Sequence, residues 1–97
     1  MTEIERIKEE CARLCQVLTL KNAAYGNAAA SPPLLLPDLD PLLAILVRMS
    51  DKISRLRSLI SGAKENDESF NDTIRDLAGY CVLYLAFKNT EEEGERQ

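Results

Sequence analysis

Three basic residues in the middle of the chain recur at positions i, i+4 and i+7, a spacing that places them on one side of a helix. They are Arg48, Lys52 and Arg55. A guanidinium binds phosphate oxygens through a planar fork, and an ammonium binds them as a point charge. We therefore expect this basic stripe to contact a phosphate-bearing ligand. Pairing with acids of a neighbouring helix would explain the same spacing, and both roles can hold at once.

A carboxylate ladder follows in the last third of the chain, with members spaced by four residues: Glu68, Asp72 and Asp76. Like charges at this spacing repel each other, so a divalent cation, Arg75 or the basic stripe must compensate them. For Glu68, a solvated first helical turn explains the charge as well, because acids complement the helix dipole there. Asp76 lies beyond that turn, which favours a partly buried carboxylate with a partner.

A third cluster of polar residues lies between the first two predicted helices. Lys21, Asn22, Tyr25, Gly26 and Asn27 bring a cation, two amides, a phenol and a permissive backbone into seven residues. Tyr25 is suited to stack on a base, with Lys21 and Asn22 on phosphate or ribose. A simple helix C-terminus, with Lys21 near the last carbonyls and Gly26 in a left-handed turn, explains the cluster equally well.

Composition narrows the classes of function. The net charge of −4 argues against a duplex nucleic-acid binder, whose affinity depends on neutralising many phosphates. The chain has no histidine, so Ser-His and Cys-His nucleophile pairs are excluded. Its three cysteines lack CxxC spacing and are interpreted as reduced thiols. Neither a secretory signal nor a run long enough to span a membrane is evident, so we expect a cytoplasmic protein without membrane partners, in the host cytoplasm if it is viral.

Three helices must position these residues. Thr2 and Glu5 have capping-box spacing, Asp40 before Pro41 is typical of a helix start, and Gly62 is typical of the position that ends a helix. Apolar periodicity predicts helix one up to about residue 20, helix two over 41–61, and helix three from Asn66 or Asp67 to about Lys88. The apolar seams read as follows: Ile4, Ile7, Cys11, Leu14 and Leu18 in helix one; Leu42, Leu46, Met49, Ile53, Leu56 and Ile60 in helix two; Phe70, Ile74, Leu77, Cys81 and Tyr84 in helix three.

The predicted fold is therefore all-α, a three-helix antiparallel bundle with a long Pro/Leu-rich loop over 21–40, pinned to the helices by Leu34, Leu35 and Leu36. Residues 1–90 form one helical domain, and 91–97 form a charged C-terminal tail. The stretch 79–87 is apolar on every side, which three helices of one chain cannot cover. We expect a homo-oligomer, a dimer or higher.

Three stretches together resemble a known family. They are Lys21-Asn22-x-x-Tyr25-Gly26-Asn27, Asp51-Lys52-Ile53-x-Arg55-Leu56 and Asp72-Thr73-x-x-Asp76-Leu77-x-x-Tyr80. In this order they are similar to the phage-enriched "nucleotide modification associated domain" proteins, which are related in architecture to the all-α NTP pyrophosphatases of the MazG and dimeric dUTPase type. The resemblance spans residues 21–80. It implies nucleotide handling in a helical oligomer and adds Tyr80 to the ligand-binding residues.

In the pyrophosphatases, carboxylate pairs on adjacent helices hold Mg²⁺ for metal-assisted hydrolysis. By resemblance, Asp51, Asp72 and Asp76 are the expected Mg²⁺ ligands. The chain departs from that pattern, because helix two offers only Asp51 in place of an ExxE set, and helix three spaces its acids by four. Binding is therefore better supported than turnover.

We predict a protein that binds a nucleotide or cyclic nucleotide at a site made by helices two and three and the 21–27 segment. It would be a viral protein that sequesters the ligand, for example an immune signalling nucleotide, without strong catalysis. A Mg²⁺-dependent nucleoside triphosphate pyrophosphatase is the first alternative. The second is a structural interaction module, in which the charges are interhelical pairs that stabilise a bundle.

Overall fold

The computed structural model describes the backbone of residues 1–25, 34–62 and 67–96, and the side chains of 1–20, 34–62 and 69–89. Three helices occupy these ranges: α1 (Glu3–Tyr25), α2 (Pro41–Ile60) and α3 (Asp67–Arg96). The described residues include turns but no strand. The all-helical prediction with three helices is confirmed. None of the described helices is both long and apolar enough to cross a membrane.

Local capping chemistry sets three of the helix ends. Thr2 and Glu5 form a reciprocal capping box, in which each side-chain oxygen accepts from the other residue's backbone N–H at 3.1 and 2.9 Å. The Asp40 carboxylate accepts from the Leu42 N–H at 2.7 Å, with Pro41 at the first helical position. Gly62, at a φ of 103°, stops α2 in the left-handed conformation that glycine favours. All three caps were predicted.

Two helices are longer than the sequence predicted. α1 continues through Tyr25, since Ala23 and Ala24 are strong helix formers and the first helix breaker is Gly26. The cluster Lys21, Asn22 and Tyr25 therefore belongs to the last turns of a helix, and the prediction of a loop over 21–25 is wrong. The predicted end of helix three near Lys88 is also wrong, because the glutamate run 91–93 continues the helix to Arg96.

α2 and α3 pack against each other in opposite directions, because Lys52 contacts Asp76 while Arg55, further along α2, contacts Thr73 and Ser69, earlier in α3. The predicted apolar seam of α2 is half wrong. The buried or half-buried positions of α2 are Leu42, Ala44, Ile45, Arg48, Met49, Lys52, Leu56 and Leu59. The predicted members Leu46, Ile53 and Ile60 are instead 41%, 54% and 75% exposed. Lys52 takes an interhelical position because its ammonium has an acid to meet across the helix pair.

α1 runs in the same direction as α3 and crosses it at one place. A Cβ atom on the buried Gly79 would lie 3.2 Å from the Leu18 side chain and 3.7 Å from that of Leu14. The small residue therefore permits the close approach of the two helices. Nearer the start of α1, Glu10 pairs with Arg75 at 3.6 Å. Apart from Leu14 and Leu18, the side chains of α1 that the structure describes, up to Leu20, are exposed in the single chain.

The buried core of the described residues is small, with Leu42, Ala44 and Ile45 as its hydrophobic members. The loop leucines do not add to it. Leu34 and Leu35 are 98% and 92% exposed, so the expectation that they pin the loop to the helices is wrong. The turn that holds this segment is a backbone bond from the Leu39 N–H to the Leu36 carbonyl, which draws no leucine side chain inward.

Candidate functional site

A network of polar side chains joins α2 to α3. The Arg55 Nε donates to the Thr73 hydroxyl at 3.2 Å, and its Nη2 donates to the Ser69 hydroxyl at 2.9 Å. Thr73 is only 3% exposed, and its hydroxyl in turn donates to the Ser69 carbonyl at 2.8 Å. The hydroxyl of the buried threonine therefore both accepts and donates a hydrogen bond within the protein. Arg55 acts here as an interhelical clamp rather than as a free cation.

One turn further along the same helix pair, the Lys52 ammonium lies 3.3 Å from the Asp76 carboxylate. The two side chains are 29% and 48% exposed, so solvent screens the pair only in part. The basic stripe and the carboxylate ladder thus meet as the antiparallel packing predicted. The pairing satisfies both groups without excluding Asp76 from contact with a ligand, because half of its side chain remains accessible.

Between α1 and α3 lies a cleft of about 1050 Å³. Its polar wall consists of Glu10, Arg13, Arg48, Asn71, Asp72, Arg75, Asp76 and Tyr80. Its apolar wall includes Leu14, Val17, Leu18, Ile74, Ala78, Gly79 and Leu83. Binding pockets for small molecules combine a predominantly apolar lining with a few polar groups and span about 300–1,000 Å³. The cleft has this character and is large enough for a nucleotide.

Most charges on the cleft wall already have an opposite charge nearby. Arg75 lies 3.6 Å from Glu10 and 3.5 Å from Asp72. Arg13 lies 3.8 Å from the same Glu10. The acids of the wall are therefore compensated by basic side chains of α1, α2 and α3.

Arg48 differs from the other cations of the cleft. Its side chain is half-buried, yet it makes no hydrogen bond or ion pair with any residue in the described ranges. A half-buried guanidinium keeps unused donors directed at whatever occupies the cleft. Tyr80, also half-buried, lies on the same wall and offers an aromatic face and a hydroxyl. The two residues supply complementary contacts, one for an anion and one for a planar ring.

The predicted site residues thus divide into groups. Arg48, Asp72, Asp76 and Tyr80 line one cleft, and Lys52 reaches it through Asp76. Arg55 lies in the interhelical network and Asp51 is exposed on α2, and neither lines the cleft. The side chains of Lys21, Asn22, Tyr25 and Glu68, and all of Asn27, lie outside the described residues.

Sequence reasoning missed the contribution of α1 to the cleft, in particular Glu10 and Arg13. Their signal is present only in retrospect, since both residues flank the apolar seam of α1 on the same side. Which helix that seam would face is a long-range property that periodicity does not encode.

Two of the three acids predicted to bind Mg²⁺ line the cleft. Asp72 and Asp76 lie on one wall of the cleft, four residues apart on α3, while Asp51 is not part of it. Among the residues whose side chains are described, no three acid, cysteine or histidine side chains come close enough together to hold a metal ion.

The cleft is thus defined by paired charges, an apolar wall and one uncompensated arginine. Comparison of the chain with known protein families, curated proteins and solved structures finds no match.

Proposed function

We propose that the protein binds a nucleotide or a nucleotide-derived ligand, such as a cyclic nucleotide, in the cleft between α1 and α3. The observation that carries the proposal is Arg48, a half-buried cation on the cleft wall with no partner among the described residues. A phosphate group supplies the missing partner, since arginine binds phosphate through two parallel hydrogen bonds.

The rest of the cleft suits the remainder of such a ligand. Tyr80 offers a stacking surface to a base, and the leucines of α1 and α3 supply an apolar wall. Asn71 adds an amide able to donate to and accept from a base or a sugar hydroxyl. An inorganic anion alone would leave this apolar wall empty, so the lining favours a ligand with both a charged and a planar part.

We further propose that the ligand is held without strong catalysis, as in a viral protein that sequesters a signalling nucleotide in its host cell. The resemblance of residues 21–80 to phage nucleotide-handling proteins supports this. So does the pairing of Asp72 with Arg75 and of Asp76 with Lys52, because a paired acid is a weaker candidate for activating water.

Isothermal titration calorimetry against nucleoside triphosphates, cyclic dinucleotides and ADP-ribose derivatives tests the proposal. We expect tight binding of at least one class, with the ligand recovered intact after incubation. Arg48→Met should weaken that binding, whereas Arg57→Met, an exposed arginine of α2 outside the cleft, should not. Equal affinities of the two variants would place the ligand elsewhere.

A Mg²⁺-dependent pyrophosphatase is the second candidate, favoured by one observation. Glu10, Asp72 and Asp76 line the same cleft as Arg48, so carboxylates from two helices border the space proposed for the ligand. Asp72 and Asp76 would hold the ion, which supplies Lewis-acid stabilisation of the phosphates when bound. This candidate requires release of pyrophosphate from a nucleoside triphosphate, loss of activity with EDTA and loss with Asp76→Asn. Intact ligand across a panel with Mg²⁺ and Mn²⁺ would exclude it.

A further inference from the structure

The apolar seam of α1 lacks a covering partner over its N-terminal half. Its five members, at positions 4, 7, 11, 14 and 18, follow the alternating steps of three and four that bring helices together in coiled coils. α3 meets the seam at Leu14 and Leu18, through Gly79. Ile4 and Ile7 are 66% and 58% exposed in the single chain.

The C-terminal half of the same helix borders an unfilled apolar groove of about 260 Å³. The groove is lined by Cys11, Leu14, Cys15, Leu18, Thr19 and Val82. Cys15 and Thr19 flank the seam on one side, whereas Arg13 and Val17, which line the cleft, flank it on the other. The groove and the proposed nucleotide cleft therefore extend to either side of the seam and share its residues Cys11, Leu14 and Leu18.

We propose that a second copy of the chain fills this groove, with the two α1 helices antiparallel about a twofold axis near Cys11. The seam extends seven residues, about 10 Å, to either side of Cys11. An antiparallel pair therefore places Ile4 and Ile7 of each copy against the groove of the other. The contact is reciprocal, as a twofold interface requires.

The exposed surface area of the chain matches what pairing with a second copy would remove from solvent. The whole chain exposes 7613 Å², whereas a folded monomer of 10.8 kDa exposes about 5500 Å². Its radius of gyration is 15.5 Å, against about 12.5 Å for a compact chain of this length. The difference of about 2000 Å² per copy is in the range that permanent homodimers remove from solvent.

A parallel pair of α1 helices would not cover both the exposed isoleucines and the groove. In a parallel pair, Ile4 would meet its own counterpart and the groove beside Leu18 would stay empty in both copies. The antiparallel arrangement covers the exposed isoleucines and the groove with one contact. The inference rests on the seam and the groove, so it does not depend on the proposed function.

Two measurements test the pairing. Light scattering coupled to size-exclusion chromatography should give a mass of at least twice 10.8 kDa. Crosslinking with a short bis-maleimide reagent should then join copies through Cys11, which is exposed in the single chain. To fix the orientation, a mixture of Ile4→Cys and Leu18→Cys chains should crosslink between the two kinds of chain, with the native thiols removed from both by Cys11→Ser, Cys15→Ser and Cys81→Ser. Crosslinks between two Ile4→Cys chains would show a parallel pair and overturn the proposal.

A matched pair of surface variants tests which helix forms the contact. Ile7 on α1 and Ile53 on α2 are exposed to a similar extent, 58% and 54%. Ile7→Glu should reduce the mass to that of a monomer or unfold the chain, while Ile53→Glu should keep the assembly. A wild-type chain that is monomeric at every concentration, or an assembly that only Ile53→Glu disrupts, would contradict the proposed interface.

Discussion

Replacing Arg48 with methionine separates ligand binding from folding in a way that the structure makes quantitative. Methionine keeps an unbranched side chain and a high helix propensity, and it removes only the guanidinium. Because Arg48 has no partner among the described residues, the change breaks no contact there. We therefore expect the free energy of unfolding to stay within about 0.5 kcal/mol of the wild-type value.

Ligand affinity should respond much more strongly. A hydrogen bond to a charged group contributes about 1.5–3 kcal/mol, and each 1.4 kcal/mol corresponds to about tenfold in affinity. Loss of one such contact to phosphate therefore raises the Kd by about 10-fold to 150-fold.

The assay is calorimetric titration of the wild type, Arg48→Met and the control Arg57→Met, with urea unfolding of the same samples. Arg57→Met carries the same change of charge on the same helix, outside the cleft. An unchanged Kd in Arg48→Met would refute the assignment of the phosphate to this residue. A loss of affinity in proportion to a loss of stability would show instead that Arg48 supports the fold.

Three further variants test the packing that forms the cleft. Thr73→Val removes a buried hydroxyl that makes two hydrogen bonds, so it should lower the free energy of unfolding in urea by about 1–3 kcal/mol. Thr73→Ser keeps the hydroxyl and should retain most of the wild-type free energy of unfolding. Asp40→Ala removes the cap of α2 and should cost about 1 kcal/mol in the same assay, while exposed Asp38→Ala should cost little. Gly79→Leu should force α1 from α3 and abolish ligand binding in calorimetry, because even a Cβ there lies 3.2 Å from α1; wild-type affinity in this variant would show that α1 is not part of the site.

The helix ends were predictable because their determinants are local. The capping box at Thr2, the Asp40 cap and the Gly62 stop each depend on residues within a few positions of one another. The facing side of α2 was less predictable. Two candidate stripes share Leu42, Met49 and Leu56, and periodicity alone favours neither of them. The choice depends on Lys52, whose partner Asp76 lies on another helix.

The candidate site was also predictable only where its determinants are local to one helix. Arg48 and Asp76 were identified because their spacing on single helices marks them as aligned charges. The sequence did not predict that Arg48 lines the cleft while Arg55 joins the interhelical network. That difference depends on a contact between helices, since Arg55 and its partner Ser69 are fourteen residues apart. The contribution of Glu10 was missed for the same reason, since it depends on how α1 crosses α3.

Native mass spectrometry of the protein purified from cells tests nucleotide binding in the cleft most directly. We expect a bound species whose mass matches a nucleotide, which is released intact on denaturation and is absent from the Arg48→Met variant. If the protein instead carries no nucleotide, and no nucleotide, cyclic dinucleotide or ADP-ribose derivative raises its melting temperature, the charges serve only to hold the helices together, because any tight ligand must stabilise the fold it binds.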